Sequence, residues 1–288
     1  MSKIKIAICL SGEPRYWQRS VKTIHNFITG DHDDGVCKVD IFYHFWDNIT
    51  KRQSKLIDSP IIEVVNKDDL YRQFKPTIGV CESKDSLDSY IDTAWDYIQD
   101  LKSKHDVTDT VNINCKENFI QAVKTTNCPP YSQIISMCKS LIIMCDYAEQ
   151  NNINYDIIIR SRSDVEFRNI SFEKIKCIVR KNKLSRYIKF PSISVRTAHG
   201  LNYNPFVEYC FFVSSSNIIN KKLFNNFNSR LCELMFHVKP KKNNTSLIVY
   251  RSSHNCVALL LKQHKNKKTE LGAGLDGFRY KLFQMPAN

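Results

Sequence analysis

The chain has 288 residues, 42% of them hydrophobic and 11% aromatic, which suffices for one large α/β domain with a proper core, with or without a helical lid. It contains no run of about 18 apolar residues, and its N-terminus lacks the basic, apolar and small-residue succession of a signal peptide. A soluble, cytoplasmic protein without a transmembrane segment is therefore expected. The eleven cysteines are odd in number, scattered and without a C-x-x-C pair, so buried reduced thiols are expected in place of a disulfide framework. That setting also leaves the N-x-S/T sequons at Asn48, Asn169, Asn243 and Asn244 without a glycosylation role.

The formal charge of +13 is unevenly placed. Residues 1–164 hold 20 Lys and Arg against 23 Asp and Glu, and residues 165–288 hold 22 against 6, so the halves stand at −3 and +16. Such a field favours an acidic ligand or surface: a sugar nucleotide, a nucleic acid, an anionic glycan or a membrane. General solubility is the alternative, because basic runs such as Lys265–Lys268 are ordinarily solvated loops.

In chain order, Lys3–Leu10 reads as a buried strand that ends at the turn Ser11-Gly12-Glu13-Pro14-Arg15. Trp17, Val21, Ile24 and Ile28 recur at helical spacing, and Gly30 stops that helix. Val39–Phe45 is a second strand with His44, Trp46 and Asp47 at its end, and Ile61–Val65 a short third. Continuous apolar strands alternating with helices are the mark of a parallel sheet covered on both faces. Ligands of such sheets sit beyond the carboxyl ends of the strands, which singles out Gly12, Arg15 and Asp47.

Residues 66–127 read as an insertion or lid with one amphipathic helix through Leu87, Tyr90, Ile91, Ala94, Ile98 and Leu101. After Pro129-Pro130 a long helix is predicted, with Ile134, Cys138, Leu141, Cys145 and Ala148 as its stripe and Asn151-Asn152 as its end. Beyond residue 164 the pattern predicts strands at Tyr187–Phe190 and Tyr209–Val213, a helix through Ile219, Leu223, Leu231 and Leu234, and a last helix over Ser253–His264.

The segment Tyr155-Asp-Ile-Ile-Ile-Arg-Ser-Arg-Ser-Asp164 is the centre of interest. Three apolar β-branched residues bury the strand, and the pattern switches to charge at Arg160. Alternation places Arg160, Arg162 and Asp164 on one face, where two guanidinium groups and a carboxylate suit a metal-chelated diphosphate. The alternative is a surface ion-pair ladder in which Arg162 pairs with Asp164 or Glu166.

Other chemistries find less support. The turn after the first strand has one glycine, there is no P-loop, and the literal G-x-G-x-x-G at Gly272, Gly274 and Gly277 follows a lysine-rich loop with too little chain left for a strand-helix-strand unit. No zinc spacing, H-E-x-x-H or G-x-S-x-G occurs, so hydrolase and metalloprotease readings are unsupported. Phe211, Phe212, Phe224 and Phe227 lie among basic residues, yet their spacing suits core packing better than base stacking.

The I-A-I-C-L-S-G-E-P-R start, the V-D-I-F-Y-H-F-W-D strand and the Y-D-I-I-I-R-S-R-S-D-V-E-F segment together resemble a group of GT-A-type glycosyltransferases of large DNA viruses, algae and bacteria, with R-x-R-x-D in place of D-x-D. The resemblance covers residues 1–50 and 129–215. It implies a GT-A-like α/β fold, a mostly parallel twisted sheet flanked by helices in a single domain with a helical insertion. It implies transfer of a sugar from a nucleoside diphosphate sugar to a hydroxyl of a glycan or glycoprotein acceptor, with no specific nucleic acid as partner. For a viral protein the compartment would be the host cytoplasm. Carried over residue by residue, it implies that Ser11, Gly12 and Arg15 approach the nucleotide, that Asp47 recognises base or ribose, and that Arg160 and Arg162 hold phosphates or orient Asp164. Asp164 would ligate Mn²⁺ or Mg²⁺, although Arg162 stands where D-x-D has its first carboxylate. For deprotonating an acceptor, Glu208 and then His254 are the candidates. Two rivals stay open: a non-catalytic polyanion- or glycan-binding protein on a transferase fold, and a sugar-phosphate nucleotidyltransferase, whose glycine-rich, lysine-ended turn Ser11–Arg15 lacks.

Overall fold

The computed structural model describes residues 3–15, 17–29, 37–51, 61–105, 107–110, 115–124, 131–168, 188–190, 212–217, 219–225, 227–240, 246–250, 269–271 and 279–282. Its centre is a seven-stranded sheet. From one edge to the other run Thr269–Leu271 (β13), Ile188–Phe190 (β9), Phe212–Ser214 (β10), Ile157–Arg162 (β7), Ile4–Gly12 (β1), Cys37–Trp46 (β2) and Ile78–Glu82 (β5). The neighbours β7, β1, β2 and β5 are all parallel, and β10 alone is reversed, antiparallel to both β7 and β9. This is an α/β architecture with a mostly parallel sheet.

The strands are apolar on both sides because both sides are covered. Ala7, Cys9, Phe42 and Ile158 point to one face, where they meet Ile134, Ile135, Cys138 and Leu141 of helix α5 (Tyr131–Gln150) and Ile91, Ala94 and Ile98 of helix α3 (Asp88–Lys104). Ile6, Ile8, Leu10, Ile41, Tyr43, Ile157 and Ile159 point to the other, against Val21, Ile24 and Phe27 of helix α1 (Trp17–Thr29) and Leu70 and Phe74 of helix α2 (Lys67–Phe74). Each large side chain buried this way stabilises the fold by roughly 1.5–3 kcal/mol. The seven cysteines among the described residues are all free, and Cys9, Cys138, Cys145 and Cys232 are buried.

Several expectations need revision. The strand at Ile61–Val64 (β4) does not join the central sheet; it forms an antiparallel hairpin with Asn48–Lys51 (β3). The hairpin is fastened where β2 ends, by the Val65 N–H donating to the Asp47 carbonyl at 2.9 Å. The stretch 66–127 is built into the frame and does not simply cap it. It supplies β5, the edge strand beside β2, and Val107–Thr110 (β6) pairs with Ser246–Tyr250 (β12) in a small sheet completed by Phe236–Pro240 (β11). Its α3 lies in the same apolar cluster as α5. The helix expected through Ile219 to Leu234 is broken into a 3-10 turn at Lys221–Phe224 and a helix at Phe227–Met235, because Asn225 between them adopts an extended backbone. Ser253–His264, Glu208, His254 and Gly272, Gly274 and Gly277 lie outside the described residues.

Candidate functional site at the carboxyl edge of the sheet

Parallel register brings the chemistry-bearing ends of four strands to one edge. Ser11 lies opposite both His44 and Arg162, and Trp46 lies opposite Glu82. The first turns of α5 cover this edge, and the Trp46 indole N–H donates to the Ser132 carbonyl at 3.2 Å.

The turn after β1 is fixed by its backbone. Gly12 has φ +104°, which L side chains rarely adopt, and among the described residues no atom lies within 4 Å of where a Cβ would stand. Conformation, not crowding by the described residues, demands glycine here. The Gly12 N–H donates to the Ser136 hydroxyl oxygen at 2.7 Å. Ser136 Oγ also lies 2.8 Å from the His44 carbonyl and 2.8 Å from His44 Nδ1, and His44 Nε2 meets Glu82 Oε1. Burial pushes His44 below its ordinary value, against the pull of Glu82. A neutral ring facing a carboxylate carries its proton on Nε2, which leaves Nδ1 an acceptor, and the one Ser136 hydroxyl proton lies between the His44 carbonyl and Nδ1. The same Glu82 oxygen takes a hydrogen bond from Lys139. The bond from His44 first, and that from Lys139 next, hold Glu82 down at about 2 despite its partial burial.

A second layer of charge lies between β1 and β7. Glu13 Oε2 accepts from Arg15 Nε at 2.8 Å, its Oε1 accepts from the buried Lys84, and its carbonyl accepts from the Ser163 hydroxyl at 3.0 Å. Arg162 forks onto Asp164: Nε to Oδ1 at 2.8 Å, and Nη2 to Oδ2. The Asp164 side chain is only 4% exposed, whereas those of Arg162 and Arg15 are 21% and 30% exposed. Among the described residues Arg15, Lys67, Lys84, Lys139, Arg160 and Arg162 thus stand against four carboxylates, Glu13, Asp47, Glu82 and Asp164, which leaves an edge suited to an anion.

The expected single face of Arg160, Arg162 and Asp164 is therefore only half present. Strand β7 ends at Arg162, and the turn at Ser163-Asp164 folds the carboxylate back onto the guanidinium. Alternation does not extend through a turn. The ion pair weighed for this segment exists, but as a buried clamp and not as a surface ladder. Arg160 is fully buried and donates through Nη2 to Ser11 Oγ at 2.7 Å, so it braces the strand end from beneath. Asp47 is tied by its backbone to Glu82 and Val65, and its carboxylate lies 3.8 Å from Lys67 Nζ.

As clamped by Arg162, Asp164 offers a divalent ion no free carboxylate oxygen. Among the described residues no three His, Cys, Asp or Glu side chains gather as a metal site, and both oxygens of Asp164 are engaged by Arg162. A hard cation at a diphosphate takes one or two carboxylates beside phosphate and water oxygens, so the engagement of Asp164, and not the number of carboxylates, decides the fit.

Glu82, Lys84, Ser136 and Lys139 were not legible as site residues. Glu82 and Lys84 come from a stretch that read as an insertion, and Ser136 and Lys139 sit on a helix whose signal is its apolar stripe. Between the β1 turn, the β3–β4 hairpin and the start of α2 runs a crevice of about 370 Å³, lined by Arg15, Trp17, Gln18, Val65, Asn66 and Asp69 among others.

Fold and site together define an α/β protein with a net-cationic cluster across the carboxyl ends of a mostly parallel sheet. Compared with protein-family models and with curated proteins, the chain matches none of either. Among the described residues no helix is long and apolar enough to cross a membrane.

Proposed function

We propose that this protein is a nucleotide-sugar-dependent glycosyltransferase of GT-A type, moving a sugar from a nucleoside diphosphate sugar to a hydroxyl acceptor. The observation that carries the reading is the meeting of the Gly12 turn with Arg15, Lys84 and Arg162 at the carboxyl ends of β1 and β7. Doubly wound sheets take their ligands at this edge. A departing diphosphate accumulates negative charge, and preorganised cations aimed at it lower the barrier most. Arg162, held by two bonds to a buried carboxylate, is such a cation, and Asp164 is its positioning residue. The crevice beside Arg15 and Trp17 offers an aromatic ring and amide groups to the nucleoside. A mostly parallel sheet with a single reversed strand agrees with a GT-A-like frame.

The test is a panel of nucleoside diphosphate sugars, scored by release of nucleoside diphosphate with and without a chelator. Turnover is expected for at least one donor, and Arg162→Ala should lower kcat by about a hundredfold, the loss typical when one charge-stabilising donor is removed. A folded protein that neither binds nor cleaves any donor sinks the reading. The polyanion-binding alternative draws on the +16 charge of residues 165–288. Salt-sensitive binding of a polyanion without any sugar-nucleotide binding would favour it.

A further inference from the structure

Glu82 ends the edge strand β5, yet only one of its oxygens is used by the protein. Oε1 accepts from His44 Nε2 and from Lys139 Nζ. Oε2 has no hydrogen-bond partner among the described residues and is not a buried orphan; the side chain is 29% exposed, so this oxygen faces outward.

A carboxylate at the end of an edge strand ordinarily swings between rotamers, whereas this one is held. His44 and Ser136 are buried, and they link Glu82 to the backbone N–H of Gly12, so the carboxylate and the turn after β1 share one rigid frame. Lys139 is held in turn by two rings, its Nζ lying 5.6 Å from the centroid of Trp46 and 5.5 Å from that of Tyr90. Such convergent second-sphere support is the arrangement that fixes a binding group within a fraction of an ångström.

The charges around Oε2 select what it can take. An anion would be repelled by Glu82 itself, and a cation by Lys139 a few ångströms away. A neutral donor meets neither penalty, and a hydroxyl bonding to an ionised carboxylate makes one of the stronger hydrogen bonds available. Tyr90, half-buried beside the pair, adds an aromatic face; burial, and then the Glu82 charge, push its hydroxyl up so that it stays neutral.

We infer that Glu82 Oε2 is the acceptor for a hydroxyl of the neutral polyol part of the substrate, either the ribose or the sugar to be transferred, beside the diphosphate at Arg15 and Arg162. The inference rests on the transferase reading. The role is recognition and not proton abstraction, because a carboxylate held at about 2 is too weak a base to take a hydroxyl proton near neutral pH.

The test is calorimetric titration of the full chain and its Glu82→Gln variant with four kinds of probe. These are inorganic pyrophosphate, uridine and guanosine diphosphates, their 2′-deoxy counterparts, and the corresponding diphosphate glucoses. Glu82→Gln should weaken the hydroxyl-bearing ligands about tenfold or more while leaving pyrophosphate within twofold of the unmodified protein. A loss seen with the ribonucleotides and absent with the 2′-deoxy compounds places the hydroxyl on the ribose. A loss confined to the diphosphate glucoses places it on the transferred sugar. Equal affinity of variant and unmodified protein for every probe overturns the inference, as does a parallel loss of pyrophosphate, which would mark Glu82 as structural. Failure of the unmodified protein to bind any nucleotide overturns the transferase reading and this inference with it, and is recognisable because it appears before any substitution is made. Glu82→Asp, which keeps the charge and withdraws it by one methylene, should reproduce the selective loss if Glu82→Gln does not fold.

Discussion

Arg162 and Asp164 illustrate how two residues two apart change meaning once their backbone is known. On a strand they would stand side by side facing a ligand; across a turn they grip each other by two bonds, one of 2.8 Å. Removing one partner of a buried, hydrogen-bonded ion pair costs about 3–5 kcal/mol, and Asp164 at 4% exposure is buried in that sense, although the 21% exposure of Arg162 lowers the figure. Asp164→Asn should therefore retain the fold, lower the melting temperature by several degrees and reduce turnover at least tenfold. Unaltered donor turnover in a folded Asp164→Asn variant would remove this residue from the machinery. His44 and Glu82 carry a pH signature. Both are held below their ordinary values of 6.5 and 4.5. In each case the unfolded chain takes up the proton first as the pH drops, so stability falls with pH. The share from Glu82 is present above about 4.5 and lost as the pH falls through about 2, and the share from His44 begins to be lost below 6.5. Melting temperatures measured between pH 7.5 and 5 should decline, and His44→Gln, which keeps a donor toward Glu82, should flatten that decline.

At the scale of elements, strand β5 decides whether Glu82 reaches the site, and its attachment depends on one missing Cβ. At Gly79 a Cβ would stand 2.3 Å from the Tyr43 ring, and Tyr43 is buried and stacked on Phe45 with centroids 4.6 Å apart. Gly79→Ala forces that ring out of its place, and overpacking of this kind costs roughly 1–3 kcal/mol. Denaturant titration should show that loss, and the variant should lose affinity for the substrate as well, because β5 carries Glu82. Helix α2 invites the opposite change. Its N-terminus is well capped, with Asn66 Oδ1 accepting from the backbone of Asp68 and Asp69 at 3.1 Å, whereas Lys75 ends it in the left-handed region at φ 45°. Lys75→Gly relieves that conformation and should stabilise the protein by about 0.5–1 kcal/mol, measured by the same titration. A destabilised Lys75→Gly variant would show that its side chain contributes more than its backbone costs.

Over the whole molecule the net charge of +13 sets the approach of an anionic ligand. Steering of this kind is screened within about 10 Å at 0.1 M salt. Nucleoside diphosphate affinity should therefore fall several-fold between 50 and 500 mM salt at constant pH, as calorimetry would show, and an affinity independent of salt would mean that the cationic edge is not where the ligand binds.

Periodicity and apolar runs by themselves determined the doubly covered parallel core, with β1, β2, β7, α1 and α5 near the places predicted, because burial on both faces leaves no room for polar side chains. They also marked the carboxyl edge through Gly12, Arg15, Asp47 and the Arg160–Asp164 segment. Only the tertiary structure decided the rest. The run Ile78–Glu82 is short, half-buried and contains a glycine, so its membership of the sheet depends on Tyr43 and β2 lying beside it. The union of Gly12, His44, Glu82, Ser136 and Lys139 includes a bond, Gly12 to Ser136, between residues 124 positions apart, and such distances carry no local pattern. The burial of Arg160 and the clamp on Asp164 follow from where β7 stops and the chain turns, a change of backbone direction to which a strict two-residue alternation is blind.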